Sequence, residues 1–133
     1  MAYEGPMQTI PGLTASAALT AKQYYFVKFS GVGTVDVCSA ATDVPCGVLQ
    51  NAPASGAAAT VAWSGVTKIS SNEAITAGWH LGTSSDGQAD RKIWGTDTTE
   101  YIVGQAITST AAAGGMVTAL INCAVPVMAQ TSA

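Results

Sequence analysis

Residues 23–38 read Gln-Tyr-Tyr-Phe-Val-Lys-Phe-Ser-Gly-Val-Gly-Thr-Val-Asp-Val-Cys, and this stretch carries the clearest structural pattern of the chain. Side chains in residues 23–29 are predicted to alternate between two faces of a β-strand, and residues 34–38 repeat that alternation. The intervening Ser-Gly-Val-Gly sequence at residues 30–33 favours a tight turn. The pattern therefore predicts a β-hairpin within an all-β fold.

A second pattern, outside the hairpin, occurs twice. Residues 47–63 and residues 104–121 each begin with glycine, cross a turn rich in small residues and end in an alternating strand. Further turn signals stand at residues 64–65 (Ser-Gly) and 86–87 (Asp-Gly). Together these patterns predict about ten short strands at a spacing of roughly 8 to 12 residues, which is typical of a sandwich or barrel. We expect an all-β, compact small β-barrel or β-sandwich, in which only residues 15–21 favour a helical turn by propensity.

Composition divides the chain into three parts. Residues 15–127 hold the predicted strands and form the expected domain, and residues 128–133 form a short C-terminal tail of small residues. Residues 1–14 contain prolines and glycines that break regular structure, so we predict an extended N-terminal arm. An arm of this kind should be removable up to residue 11 with little loss of stability. Unanchored termini are usually poorly ordered, but this one carries apolar candidate contacts for another protein: Tyr3, Met7, Ile10 and Leu13.

Charged residues make up only 10% of the 133 residues, against about 25% in typical soluble domains. This deficit favours a subunit that buries much of its surface against neighbours, because interface cores are depleted in charge. The alternative is a secreted β-protein rich in Thr, Ser and Ala. With a net charge of -3 and five Lys and Arg residues, we expect no nucleic-acid partner. We also expect no membrane span, because no apolar run is long enough to cross a bilayer. We expect no signal peptide, because the first residues lack a basic region followed by an apolar one.

No group of residues has the spacing of a catalytic, cofactor-binding or metal site. His80 is the single histidine, and no pattern links it to a nucleophile. The cysteines, Cys38, Cys46 and Cys123, are odd in number and lack the spacing of a zinc site. Cys38 and Cys46 are near enough in sequence to form a pair, but a reducing cytoplasm would keep all three as thiols. We therefore predict a protein that is not an enzyme and has no cofactor.

The three tryptophans have different settings. Trp63 shares a strand face with Ala59 and Val61 and is predicted to lie in the core. Trp79 and Trp94 lie beside turns with polar neighbours, and tryptophan is enriched at interface hot spots. Each of these two is therefore a candidate interface residue or, alternatively, a cap on an open barrel end.

Six segments, taken in order, resemble a family of capsid decoration (cement) proteins of tailed bacteriophages. Each segment alone is a weak signal because it consists largely of small residues and glycines. Their order and spacing, however, extend over about residues 13–121. The segments are residues 19–28, 46–56, 61–68, 74–78, 86–89 and 102–106.

The resemblance implies a non-enzymatic structural protein on the outer surface of the capsid in the virion, made in the host cytoplasm. It also implies a homotrimer that stabilises contacts between major capsid proteins. Many weak contacts made together would give strong attachment. The candidate contacts with the capsid or with other subunits are Tyr3, Met7, Ile10, Leu13, Trp79, Trp94 and Tyr101.

The sequence departs from the family pattern at Trp79, where the family often has an acidic residue, and at its cysteines. A second hypothesis therefore stays open: a small β-barrel glycan- or host-binding module of a phage head fibre or tail. Such a module should expose aromatic residues with polar partners on one face, and Trp79, His80 and Trp94 are candidates. An enzyme ranks last because no base and nucleophile can be paired.

Overall fold

The computed structural model describes residues 2–130, and every regular element within that range is a β-strand. The all-β class predicted from the sequence is confirmed. Among the described residues, no helix is long and apolar enough to cross a membrane. The strands are β1 (Met7–Ile10), β2 (Thr14–Ala15), β3 (Phe26–Gly31), β4 (Thr34–Val37), β5 (Gly47–Leu49), β6 (Val61–Ser70), β7 (His80–Thr83), β8 (Ala89–Arg91), β9 (Tyr101–Ile102), β10 (Gly104–Ala106), β11 (Met116–Asn122) and β12 (Val127–Met128).

The ten-residue strand β6 organises the sheet, because it pairs antiparallel with β1, β5 and β11. The ten-stranded sheet has the order β2-β4-β3-β5-β6-β11-β10-β7-β8, with β1 also on β6. Strands β9 and β12 form a separate two-stranded sheet. In the part of the chain that the structure describes, β8 does not pair with β2, so the sheet stays open and is not a closed barrel.

The predicted hairpin is present as β3 and β4, but β3 begins at Phe26 rather than at residue 23. Tyr24 has a φ of 67°, and this left-handed conformation interrupts the extended run before the strand. Phe26 and Val27 point to opposite faces, as the predicted alternation requires, and both side chains are fully buried. The physical reason is that both faces of the sheet are covered at this point.

Two groups of core residues lie on opposite faces of β3, β5 and β6, because residues adjacent in sequence fall into different groups. The second half of the chain covers the first face, and the segment before β3 covers the second. Members of the first group are Phe26, Val48 and Ala62, with Ile69, Ile75, Leu81, Val103 and Val117. Members of the second group are Val27, Leu49 and Val61, with Leu13, Ala15, Leu19 and Val35.

Residues 13–19 therefore serve as a cover for the sheet. The helical turn predicted for residues 15–21 is absent. Thr14 and Ala15 instead pair in parallel with β4, and Leu19 buries its side chain in the second group of core residues. Burial of these side chains outweighs the weak helical propensity of a short, alanine-rich segment.

The segment predicted to be an arm is extended, but it lies along its own sheet. In addition to the pairing of β1 with β6, the backbone N–H of Gly5 donates to the carbonyl oxygen of Val66 at 3.0 Å. The Thr118 hydroxyl donates to the carbonyl oxygen of Tyr3 at 2.7 Å. The N-terminal segment thus contacts both β6 and β11. Met1 lies outside the described residues.

The predicted boundary between the domain and the C-terminal tail falls within β12, and this strand pairs with β9. The divisions after residues 14 and 127 stay predictions. Residues 131–133 of the predicted tail lie outside the described residues.

The turn predicted at Ser64 and Gly65 is wrong, because β6 runs through both residues. Gly65 has a φ of +118°, which side-chain-bearing residues rarely adopt. A Cβ atom at this position would stand 2.3 Å from the carbonyl oxygen of Pro6 and 2.6 Å from the Cα of Met7. Glycine is therefore required here to let β1 approach β6, not to turn the chain.

Removal of residues 1–11 should destabilise the protein. The deletion eliminates the backbone hydrogen bonds of β1 and the packing of Met7 and Ile10, a loss on the order of 4 kcal/mol. Urea denaturation monitored by tryptophan fluorescence measures the change. A double alanine variant at the exposed Gln8 and Thr9 keeps the backbone pairing and should unfold almost like the unmodified protein. An unchanged midpoint after the deletion would instead support a free arm.

A Gly65→Ala substitution should cost at least about 2 kcal/mol of unfolding free energy more than Gly56→Ala. Both glycines have positive φ, but a Cβ at Gly56 meets nothing within 4 Å, whereas a Cβ at Gly65 meets the backbone of β1. The comparison isolates the close approach of the two strands from backbone strain. Equal losses in the two variants would show that β1 does not need this approach.

Candidate interaction surfaces

A cleft of about 610 Å³, called here the apolar groove, opens beside β3 and β6. Phe29 leaves 59% of its surface exposed on one wall. The one charged lining residue, Lys28, is neutralised by an ion pair with Asp43 at 2.9 Å. The groove is therefore apolar and without net charge. It is lined by Ile10, Lys28, Phe29, Val44, Pro45, Cys46, Trp63, Cys123 and Ala124.

Trp63 is half-buried in the groove wall, so its predicted place in the core is wrong. Ala59 and Val61, which share its predicted face, are buried as expected. The cover formed by residues 13–19 packs against these two residues, but Trp63 belongs to neither group of core residues. The core thus ends on this face of β6 at Val61.

The floor of the apolar groove contains two thiols, Cys46 and Cys123, and Cys38 is buried as well. All three cysteines are free in the structure. Burial raises the pKa of the Cys46 thiol to about 11 and that of the Cys123 thiol to about 12. Since the thiolate is the reactive form, these groups are poor nucleophiles at neutral pH.

A second depression of about 460 Å³, called here the apolar shelf, lies next to the groove. Its exposed apolar side chains are Leu120, Val125 and Val127, and no Asp, Glu, Lys or Arg is among its lining residues in the described structure. Cys123 and Ala124 line the groove and Val125 lines the shelf, so the two surfaces meet at the turn between β11 and β12. Contiguous exposed apolar surface of this kind is typical of sites that contact a protein, a membrane or a ligand.

A smaller cleft of about 230 Å³, called here the aromatic cleft, lies at β7, β8 and the loop that follows β8. The ring of His80 meets that of Trp94 edge-on, with centroids 6.0 Å apart and planes at 80°. The guanidinium of Arg91 stacks over Trp79, 4.2 Å from the ring centroid. The cleft is lined by Gly78, Trp79, His80, Arg91, Lys92, Ile93 and Trp94.

An ion cluster around the buried Lys92 holds the loop that carries Trp94. The Lys92 side chain has no exposed surface, forms a salt bridge with Glu100 and lies 3.7 Å from a carboxylate oxygen of Asp90. Burial, followed by a hydrogen bond with Glu73, raises the pKa of Asp90 to about 6, although Lys92 opposes the shift. Sequence reasoning missed this cluster. Its signal was the spacing of Asp90 and Lys92 by two residues, which puts opposite charges on one face of a strand.

The seven predicted contact residues fall in different places. Trp79 and Trp94 share the aromatic cleft, and Ile10 lines the apolar groove. Leu13 is only 6% exposed and belongs to the protein's own core, so it is not available on the surface of the described structure. Tyr3 and Trp94 are exposed, whereas Met7, Ile10, Trp79 and Tyr101 are half-buried. Their roles as contacts stay predictions.

The described residues contain no group of three or more His, Cys, Asp or Glu side chains that could hold a metal ion. His80 is placed beside Trp94, and all three cysteines lie in the buried interior.

Comparison with known proteins identifies a fold. No protein-family model matches the sequence, and no curated protein matches it significantly. The structure is similar to that of the head fiber gp8.5 N base of bacteriophage phi29, with a TM-score of 0.62 and 19% sequence identity. The match covers 89% of this chain and 96% of that chain. At this identity the likeness establishes a shared fold over nearly the whole of both chains.

The stability of the protein should depend on pH through Asp90. Because the pKa of Asp90 in the folded state is about 6, against about 3.9 in an unfolded chain, the folded state holds a proton that the unfolded state releases. The corresponding stability is fully present below about pH 4 and is lost as the pH rises through about 6. An Asp90→Asn variant should therefore gain stability relative to the unmodified protein between pH 4 and 7. Urea denaturation across this range measures the difference, and parallel profiles would contradict the assignment.

Proposed function

We propose that this protein is a non-enzymatic structural protein on the outside of a bacteriophage head, built like the base of a head fibre. The observation that carries the proposal is the fold shared with the phi29 head fiber base over 89% of this chain and 96% of that one. The buried thiols, with pKa values raised to about 11 or 12, would not serve as thiolate nucleophiles at neutral pH.

The apolar groove and the apolar shelf are the proposed contact surfaces. They meet at the turn between β11 and β12, and together they offer two depressions with a single charged lining residue, Lys28. The low charge content of the whole chain agrees with burial of this area, because interface cores are depleted in charge. The proposed partners are the major capsid protein and further copies of this chain in a homotrimer. Several modest contacts from one trimer would act together to give firm attachment.

A capsid decoration (cement) protein is the second candidate, and the resemblance of its ordered segments favours it. The two candidates differ in what they do for the head. A cement trimer that bridges neighbouring capsid proteins should raise the temperature at which heads break open. A fibre base on the same outer surface should leave that temperature nearly unchanged. Heating heads with and without bound protein separates the two.

Purified protein should co-sediment with heads of its phage that were assembled without it, and it should elute as a trimer in light-scattering chromatography. A Val125→Asp substitution in the apolar shelf should weaken attachment at least about tenfold, because an unpaired charge would be buried at the contact. Val125 is 64% exposed in the isolated protein, so the substitution should leave the fold intact.

Val32→Asp is the matched control, since Val32 is fully exposed in the turn between β3 and β4 and lines neither depression. This variant should attach like the unmodified protein. A monomer that never binds such heads would overturn the proposal, and equal loss in both variants would overturn the choice of surface.

A further inference from the structure

We propose that the aromatic cleft binds one pyranose ring of a glycan, with the exposed indole of Trp94 as the platform and the guanidinium of Arg91 as the hydrogen-bond donor. The inference deepens the proposed function, because a module on the outside of a phage head is where the particle would meet a cell-surface glycan. The occupant is a single sugar unit, and its recognition rests on three features of the cleft.

The first feature is an open aromatic face. Trp94 is 45% exposed, and the edge-on contact with His80 at 6.0 Å fixes the orientation of its ring. The C–H face of a pyranose is apolar and packs against a flat indole, whose amphipathic ring keeps a polar N–H at its edge. Trp79 is less open, because the Arg91 guanidinium stacks on one face of its ring and the half-buried residue packs against the first group of core residues.

The second feature is a cation held in place with its donors free. Stacking on Trp79 fixes the plane of the Arg91 guanidinium, which carries five N–H donors in a fork. Among the described residues, no carboxylate forms a salt bridge with Arg91. Neighbouring sugar hydroxyls can accept two parallel hydrogen bonds from such a fork. The other cation of the cleft, Lys92, is already paired with Glu100 and Asp90.

The third feature is size combined with rigidity. At about 230 Å³, the cleft lies below the roughly 300–1,000 Å³ of sites for drug-sized ligands, so it fits one ring rather than an oligosaccharide. The loop that carries Trp94 is fixed by the buried Lys92 and by a hydrogen bond from the Ile93 N–H to the Asp97 carboxylate at 2.6 Å. A site that is already ordered loses little entropy when a ligand binds.

The test is a titration of the purified protein with the methyl glycosides of glucose, galactose, N-acetylglucosamine and N-acetylgalactosamine. Saturation-transfer NMR reports on the sugar, and the indole N–H signals of the tryptophans report on the protein. We expect saturable binding of at least one glycoside with a Kd on the order of 1 mM, as is typical of a ligand of one ring. Absence of saturable binding for all four glycosides would overturn the proposal.

The variants Trp94→Ala and Arg91→Lys should each weaken this binding at least about tenfold. Arg91→Lys keeps the charge but removes the planar fork. Trp63→Phe, in the apolar groove, is the matched control and should bind the glycoside normally. Undiminished binding by Trp94→Ala would contradict the placement of the sugar.

The same variants distinguish this inference from the proposed function. Trp94→Ala should attach to phage heads like the unmodified protein, because its contact is with a sugar and not with the capsid. Normal head attachment without glycoside binding would reject the sugar site alone. Loss of head attachment in Trp94→Ala would assign the aromatic cleft to the capsid contact and would also overturn the sugar site.

Discussion

The backbone pairing of β6 with three other strands is the constraint on which the structure depends. Because β1, β5 and β11 all bond to this one strand, it joins the beginning, the middle and the end of the described chain. The same pairing sets up the two covered faces, since Val61 and Ala62 point to opposite sides. With β6 fixed, the turn between β11 and β12 brings the apolar groove and the apolar shelf together on one side of the molecule.

Local patterns predicted much of this fold, and where they failed the cause was a distant partner. The hairpin of β3 and β4, the alternating strand that ends the second repeat, here β11, and the all-β class all follow from hydrophobic periodicity and turn residues. The start of β3 was misplaced because the left-handed conformation of Tyr24 interrupts the extended run, and nothing in the local sequence pattern indicates it. Gly65 was interpreted as a turn because a glycine that admits a neighbouring strand and a glycine that turns the chain look alike in sequence.

The candidate surfaces were predictable only in part, for the same reason. The sequence identified Trp79 and Trp94 as candidate interface residues, and their convergence with His80 and Arg91 required the pairing of β7 with β8. The apolar groove could not be predicted, because it assembles Ile10, Phe29, Trp63 and Cys123 from four separate parts of the chain. Lys92 shows most clearly which contacts could not be predicted from the sequence. A lysine is almost never fully buried without a partner, and its partner Glu100 lies in a loop with no regular pattern.

The pairing of β1 also governs how the chain acquires its fold. Ile10 and its partner Val61 are separated by 51 positions, and β6 in turn pairs with β11, which lies about fifty positions further along the chain. During synthesis β1 therefore stays without its partner until β6 has also been made. Folds dominated by such non-local pairings form on the scale of milliseconds to seconds, whereas helical bundles need microseconds to milliseconds. The protein should therefore fold late, slowly and as one cooperative unit, with its N-terminal segment exposed to other chains until β6 arrives.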